Sequence, residues 1–120
     1  MQVVFIIGRI LLGGYFLYSG YNHIANLAGM TGYAKMKGLP AAKAAVIVSG
    51  IMLALGGIGI LANRFTILGM CLVVLFLVPT TFIMHQFWKE TDPHVRMAER
   101  INFTKNLALV GALLLLISIG

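Results

Sequence analysis

Charged side chains are scarce in this chain: Asp, Glu, Lys and Arg together make up 10 % of its 120 residues, and three of them are acidic. Soluble domains carry about a quarter of their residues as charge, so a chain that is 60 % apolar has too little polar surface to face water on all sides. A soluble globular fold is excluded. Cysteine is confined to Cys71, in the middle of an apolar stretch, which rules out an intrachain disulfide and a cysteine metal set. The net charge of +6 does not point to nucleic acid, because the nine Lys and Arg residues are dispersed between apolar stretches and no basic stripe or RNA-binding aromatic motif collects them. No nucleophile motif, P-loop or dinucleotide fingerprint is present. Gly56, Gly57 and Gly59 lie inside an apolar stretch, where a phosphate cannot be presented.

What fills the chain instead is four apolar stretches, over residues 3–24, 40–62, 65–87 and 101–120. At about 1.5 Å per residue each spans about 30 to 35 Å, the thickness of a hydrocarbon core. In lipid every backbone N–H and C=O must be satisfied internally, which leaves helices or closed barrels. Barrel strands alternate polar and apolar positions over about ten residues, and the run from Leu72 to Val78 does not alternate. The fold class is therefore all-α: an integral membrane four-helix bundle, one transmembrane domain over residues 1–120. No basic residue precedes the first apolar run and no clean small-x-small site follows it, so the run reads as a retained span rather than a cleaved signal.

The connections carry further signals. Lys35, Lys37 and Lys43 follow the first span, and Lys89, Arg96, Arg100 and Lys105 follow the third, against Arg9 and Arg64 on the other side. Basic residues near span ends set orientation. Loops 25–39 and 88–100 are thus expected in the cytoplasm and both termini outside. Met30, Tyr33 and Met36 recur at helical spacing, which predicts a short interfacial helix that Gly38 stops, with Pro40 in the first turn of the second span. Asn63 and Arg64 alone join spans two and three, which makes those spans antiparallel neighbours. Asp92 before Pro93 reads as an N-cap with proline at the first helical position, so the last helix starts near Pro93 in water and enters lipid near Ile101. Glu90, Asp92 and His94 read as a solvated loop rather than a metal cluster; no metal site is expected. Small residues mediate helix contacts in lipid, and the candidates are Gly50, Ala54 and Gly57 in the second span and Ala108 with Ala112 in the fourth. Pro79, followed by Thr80 and Thr81, predicts a kink in the third.

Polar residues inside a span are functional candidates. Arg9, Gly13, Phe16, Gly20 and His23 recur at steps of four and three, so they share one helix face. The two glycines permit close approach of another backbone and turn that face inward. At its start Arg9 is either a residue extended to the interface or a buried anion or quinone contact. Because alternate spans reverse direction, His23, His85, Asn102 and Asn106 fall at one level, with Tyr18, Asn22 and Trp88. Histidine with asparagine and aromatic neighbours can hydrogen-bond a quinone carbonyl and exchange protons near neutral pH. The same aromatics also fit an interfacial belt. Two histidines at one level raise haem, but no second pair and no C-x-x-C-H supports it.

Several of these stretches resemble the DoxX family of small four-helix bacterial membrane proteins. They are Arg9-Ile-Leu-Leu-Gly-Gly, Ser19-Gly-Tyr-Asn-His, Gly38-Leu-Pro, Leu55-Gly-Gly-Ile-Gly and Asn63-Arg64, then His85-Gln-Phe-Trp, Asp92-Pro and Phe103-Thr-Lys-Asn-Leu-Ala-Leu-Val-Gly. The resemblance implies a bacterial inner-membrane protein, with relatives that include the membrane subunit of thiosulfate:quinone oxidoreductase and members linked to redox or thiol stress. Carried over by position, Arg9, His85 and Asn106 match polar positions of the family pattern. Many relatives carry a glutamate about three residues before the glycine pair, where this chain has Leu53. The expectation is a membrane subunit that binds quinone or a similar lipophilic ligand and works with a redox partner protein in the lipid bilayer. The competing readings are a non-catalytic scaffold and, behind it, a small-molecule transporter, which would need a homo-oligomer.

Overall fold

A computed structural model of the chain describes residues 2–120, and among these it contains helices and no strand. The elements are α1 (Gln2–Ala25), α2 (Leu27–Met36), α3 (Ala42–Ala62), α4 (Thr66–Met84), a 3-10 turn at Phe87–Lys89 and α5 (Pro93–Ile119). Four helical segments, Gln2–Ala25, Ala42–Ala62, Thr66–Lys89 and Pro93–Ile119, are long and apolar enough to cross a membrane. The 27 residues of α5 measure about 40 Å at 1.5 Å per residue, more than a hydrocarbon core of about 30 Å. Two compact units divide the chain between Val73 and Val74, inside α4.

In the first unit α1 and α3 run antiparallel at backbone contact. A Cβ built on Gly13 would stand 2.9 Å from the carbonyl oxygen of Gly57, and one built on Gly20 would stand 2.5 Å from that of Gly50 and 2.6 Å from the amide nitrogen of Ala54. The expected inward face of the first helix is correct at Gly13, Phe16 and Gly20, all buried. Gly50 and Gly57 are buried opposite. The same device joins α3 to the start of α4, where Gly56 and Gly69 leave no space for a side chain between them. In lipid, where apolar contact alone gives no preference for protein over acyl chain, such close approach adds the packing that holds helices together.

Two expectations need correction here, on Pro40 and on α5. Pro40 lies in the turn before α3, not in its first turn: the N-cap is Ala41, held at φ 50°, and the helix begins at Ala42. The expected short helix forms as α2, with Ala34 buried and Met36 75 % exposed. The inward stripe is Leu27, Met30, Thr31 and Ala34, since a 3.6-residue period carries residue 36 off the face that residue 30 begins. Gly38, at φ 83°, ends α2 as expected. In α5 Ala108 and Ala112 are exposed, and the buried stripe is Glu99, Asn106, Val110 and Leu113.

One local prediction holds in the second unit. The Asp92 carboxylate accepts from the His94 amide at 2.9 Å, with Pro93 at the first position of α5. Pro79 stands inside α4, and the hydroxyl of fully buried Thr81 donates to the Leu77 carbonyl at 2.6 Å. The α1–α3 contact gives a stability prediction. Gly20→Ala drives a methyl into the Gly50 and Ala54 backbone and should destabilise by about 1 to 3 kcal/mol. Gly14→Ala, with nothing within 4 Å of the added carbon, should leave the melting temperature in detergent unchanged or slightly raised.

Candidate functional site

The side chains that could carry chemistry fall into two groups, one in each unit. In the first unit His23 sits near the end of α1 with its Nδ1 at 3.2 Å from the Val46 carbonyl oxygen and 3.0 Å from Ser49 Oγ. The Ser49 hydroxyl also lies 3.0 Å from that carbonyl, to which it donates. A carbonyl oxygen only accepts, so Nδ1 carries the proton that bridges to α3. The arrangement ties α1 to α3 at the level where Gly50 packs on the His23 Cβ.

Arg9 lies at the other end of the same face. Its guanidinium runs back toward the helix start, 5.3 Å from the centre of the Phe5 ring. Its Nε is shut away without a hydrogen-bond partner. The arginine is thus half-buried, with its guanidinium against the Phe5 ring. Tyr18 is a correction: at 65 % exposure it joins no cluster and faces outward, as an interfacial aromatic does.

The second unit holds the denser group. Past the end of α4, His85 Nδ1 lies 3.2 Å from Glu99 Oε1. Asn102 Nδ2 donates to the same oxygen at 3.4 Å. The Glu99 side chain is 5 % exposed and that of His85 14 %, so the carboxylate is enclosed while an edge of the imidazole reaches the surface. Glu99, Asn102 and Asn106 stand on one stripe of α5, one turn apart, which places all three on the side that is buried. With Glu99 as a carboxylate, the ring is held by its Nδ1–H and cannot swing. This is how a second residue fixes the orientation and proton position of a histidine.

An aromatic cluster adjoins the pair. Phe103 on α5 meets Phe82, Phe87 and Trp88 edge to face, with ring centres at 5.4, 5.4 and 5.6 Å. Phe87 and Trp88 also touch each other at 5.3 Å. Edge-to-face packing is the favoured arrangement for such rings. The Arg100 guanidinium lies 5.2 Å over the Phe87 ring, and the Gln86 amide donates to the Phe82 carbonyl at 2.9 Å. The 3-10 turn at Phe87–Lys89 brings both Phe87 and Trp88 against Phe103 of α5.

Of the residues singled out from the sequence, His85, Asn102 and Trp88 come together with this group, and Asn106 continues its stripe. His23 and Arg9 belong to the first unit. Two partners were missed, Glu99 and Ser49. Glu99 stands next to Arg100 and one turn from Arg96 in the stretch of the last helix expected in water, where a carboxylate calls for no buried partner. Its signal was available: Glu99, Asn102 and Asn106 repeat at steps of three and four, continued inward by Val110 and Leu113. Ser49 stands beside Gly50, on the face already expected to meet α1. Leu53, by contrast, is 2 % exposed and purely hydrocarbon, so α3 supplies no acid. Among the described residues no group of three or more His, Cys, Asp or Glu is placed to hold a metal ion.

The Glu99 contacts give a prediction. Glu99→Ala takes the Glu99 acceptor from the half-buried His85 and Asn102 donors, and the loss should be about 1 to 3 kcal/mol of stability. Glu99→Gln keeps an acceptor oxygen and should recover most of it. Melting of the two variants in detergent, followed by circular dichroism, measures the difference.

Comparison with known families gives one match: the model of the DoxX family fits residues 4–86, more than half of the chain. That segment includes Arg9, His23 and His85 and ends before Trp88, Glu99, Asn102 and Asn106. The resemblance read from the sequence over residues 87–120 thus lies outside the matched segment. No curated protein and no solved structure matches the chain.

Proposed function

The chain belongs to the DoxX family, and from that premise we propose that this multi-pass membrane protein is a membrane subunit that binds quinone or a similar lipophilic ligand and works with a redox partner. One observation carries the reading. His85 is fixed by an enclosed carboxylate with its ring edge at the surface, beside the Phe82, Phe87, Trp88 and Phe103 cluster. A quinone needs a flat apolar surface for its ring and a hydrogen-bonding group of fixed direction for a carbonyl. Pockets for such ligands are mostly apolar with few, well-placed polar groups. Asn102 and Asn106 on the α5 stripe supply further polar capacity. The carboxylate beside His85 gives the imidazole a partner whichever charge state it takes, which suits a group that exchanges protons with a ligand.

A second reading, a non-catalytic scaffold, is favoured by the completeness of the same group. Glu99 accepts from both His85 and Asn102, and such bonds within a membrane protein fix register at about 0.6 kcal/mol each. Ligand affinity separates the two. Trp88 is the single tryptophan of the chain, so its fluorescence reports on this cluster directly. Titration of the purified protein with a short-chain ubiquinone or menaquinone analogue should quench it saturably. His85→Ala should weaken the binding by about tenfold, the equivalent of one hydrogen bond of about 1.4 kcal/mol. A scaffold predicts lower thermal stability in that variant and no saturable quenching in either protein.

The proposed location is the bacterial inner membrane, with loops 25–39 and 88–100 cytoplasmic and both termini outside. It rests on the distribution of Lys and Arg around the spans. In a chain with Cys71→Ser, a cysteine placed at Asn63 should react with an impermeant maleimide in intact cells. One placed at Gly32 should react only after lysis, and the opposite pattern would invert the assignment.

A further inference from the structure

The end of the first unit at which α1 begins holds a cationic feature that the quinone reading does not use. Residues 1–73 contain five Lys and Arg and not one Asp or Glu. Arg9 therefore has no carboxylate in its own unit, and the π face of Phe5 is the only partner described for its guanidinium. Of the three acids in the chain, Asp92 caps α5 and Glu99 is engaged by His85 and Asn102.

A second arginine lies at the same end. Gly13 faces Gly57 and Leu61 across the antiparallel α1–α3 contact, so Arg9, one turn back from Gly13 on α1, stands toward the end of α3 at Ala62 and the corner after it, which holds Arg64. Arg64 occupies the tight corner between α3 and α4, flanked by Asn63 at φ 55° and Phe65 at φ 52°. Asparagine adopts the left-handed region readily. A bulky aromatic there is a genuine outlier. The corner is held by the Arg64 amide donating to the Gly59 carbonyl at 3.1 Å and by the Thr66 hydroxyl, 3.4 Å from both that carbonyl and Asn63 Oδ1. The outcome of this strained backbone is an exposed Arg64 beside a Phe65 ring that is 81 % exposed. The end of the unit thus carries two arginines, each next to an outward phenylalanine.

We propose that Arg9 and Arg64, bracketed by Phe5 and Phe65, bind the phosphodiester of an anionic lipid at this end of the α1–α3 pair. The level suits a headgroup. Arg9 stands about 10 Å along α1 from its start at 1.5 Å per residue, and its side chain reaches back toward that start, so its charge arrives at the interface while its Cα stays in hydrocarbon. Phe5 and Phe65 supply the apolar flanks that sit among the upper acyl carbons. Guanidinium is the group best matched to a phosphate, through paired N–H donors. The three lysines of this unit, Lys35, Lys37 and Lys43, lie around α2 and the start of α3, at the opposite end of the α1–α3 pair.

The test uses the full-length chain, purified in neutral detergent and examined by native mass spectrometry with added phosphatidylglycerol or phosphatidylcholine. The wild type should retain phosphatidylglycerol in preference, and its melting temperature should rise with that lipid. Each basic residue near a membrane surface contributes about a fivefold effect on binding to anionic lipid, so R64Q should lower retention by about fivefold and R9Q/R64Q by more. K35Q/K37Q, at the opposite end, should retain phosphatidylglycerol as the wild type does. Should R9Q/R64Q fail to fold, R64Q alone decides, since that side chain is exposed. Equal retention by R64Q and wild type overturns the proposal, as does an equal loss in K35Q/K37Q. Stabilisation by inorganic phosphate as large as that by phosphatidylglycerol overturns the lipid as the ligand.

Discussion

Hydrocarbon cannot hydrogen-bond a peptide group or a side chain, so each polar atom within the spans must find its partner in the protein or reach the interface. That constraint orders most of what is specific here. It makes the spans helical, and it explains why His23 reaches across to the Val46 carbonyl and Ser49. It explains equally why the buried Thr81 hydroxyl turns back on the Leu77 carbonyl of its own helix. Glu99, the one acid buried among the described residues, is met by a histidine and an amide.

Glycine makes these pairings geometrically attainable. A His23 side chain could not span from α1 to a carbonyl of α3 unless the two backbones nearly touched, and they do so where Gly20 meets Gly50 and Ala54. The same residues that give the helices their attraction in lipid therefore set the depth and register of the polar contact. The α3–α4 corner repeats the logic on a smaller scale, with Gly56 against Gly69 and Gly59 beneath the Arg64 and Phe65 carbonyls.

The second unit solves a different problem. Its α5 is longer than a hydrocarbon core is thick and begins at a capped, exposed end, with Glu99 two turns inside that start. A carboxylate at that depth is costly without donors and useful with them. The interruption of α4 after Met84 puts His85 and the Phe87–Lys89 turn beside it, so that a titratable pair and a set of aromatic faces share one place. The family match extends through His85 and stops short of Glu99, so the acid that holds the histidine belongs to the part of the chain that the match does not cover.

Periodicity and composition alone determined the four spans, the Asp92–Pro93 start of the last helix and the inward Gly13–Phe16–Gly20 face. Each of these follows from a handful of residues at fixed spacing, with no partner needing to be known. The Leu27–Met30–Thr31–Ala34 stripe of α2, the exposure of Ala108, Ala112 and Tyr18, and the pairing of His85 with Glu99 were decided only in three dimensions. A small residue or an aromatic has no side of its own; it faces whatever the neighbouring helix leaves open. Glu99 and His85 are fourteen positions apart, and what joins them is the break in α4 and the turn after it, a change of chain direction that no local pattern encodes. Helices are specified by their own residues, whereas a hydrogen bond between them requires the packing that brings both ends into reach.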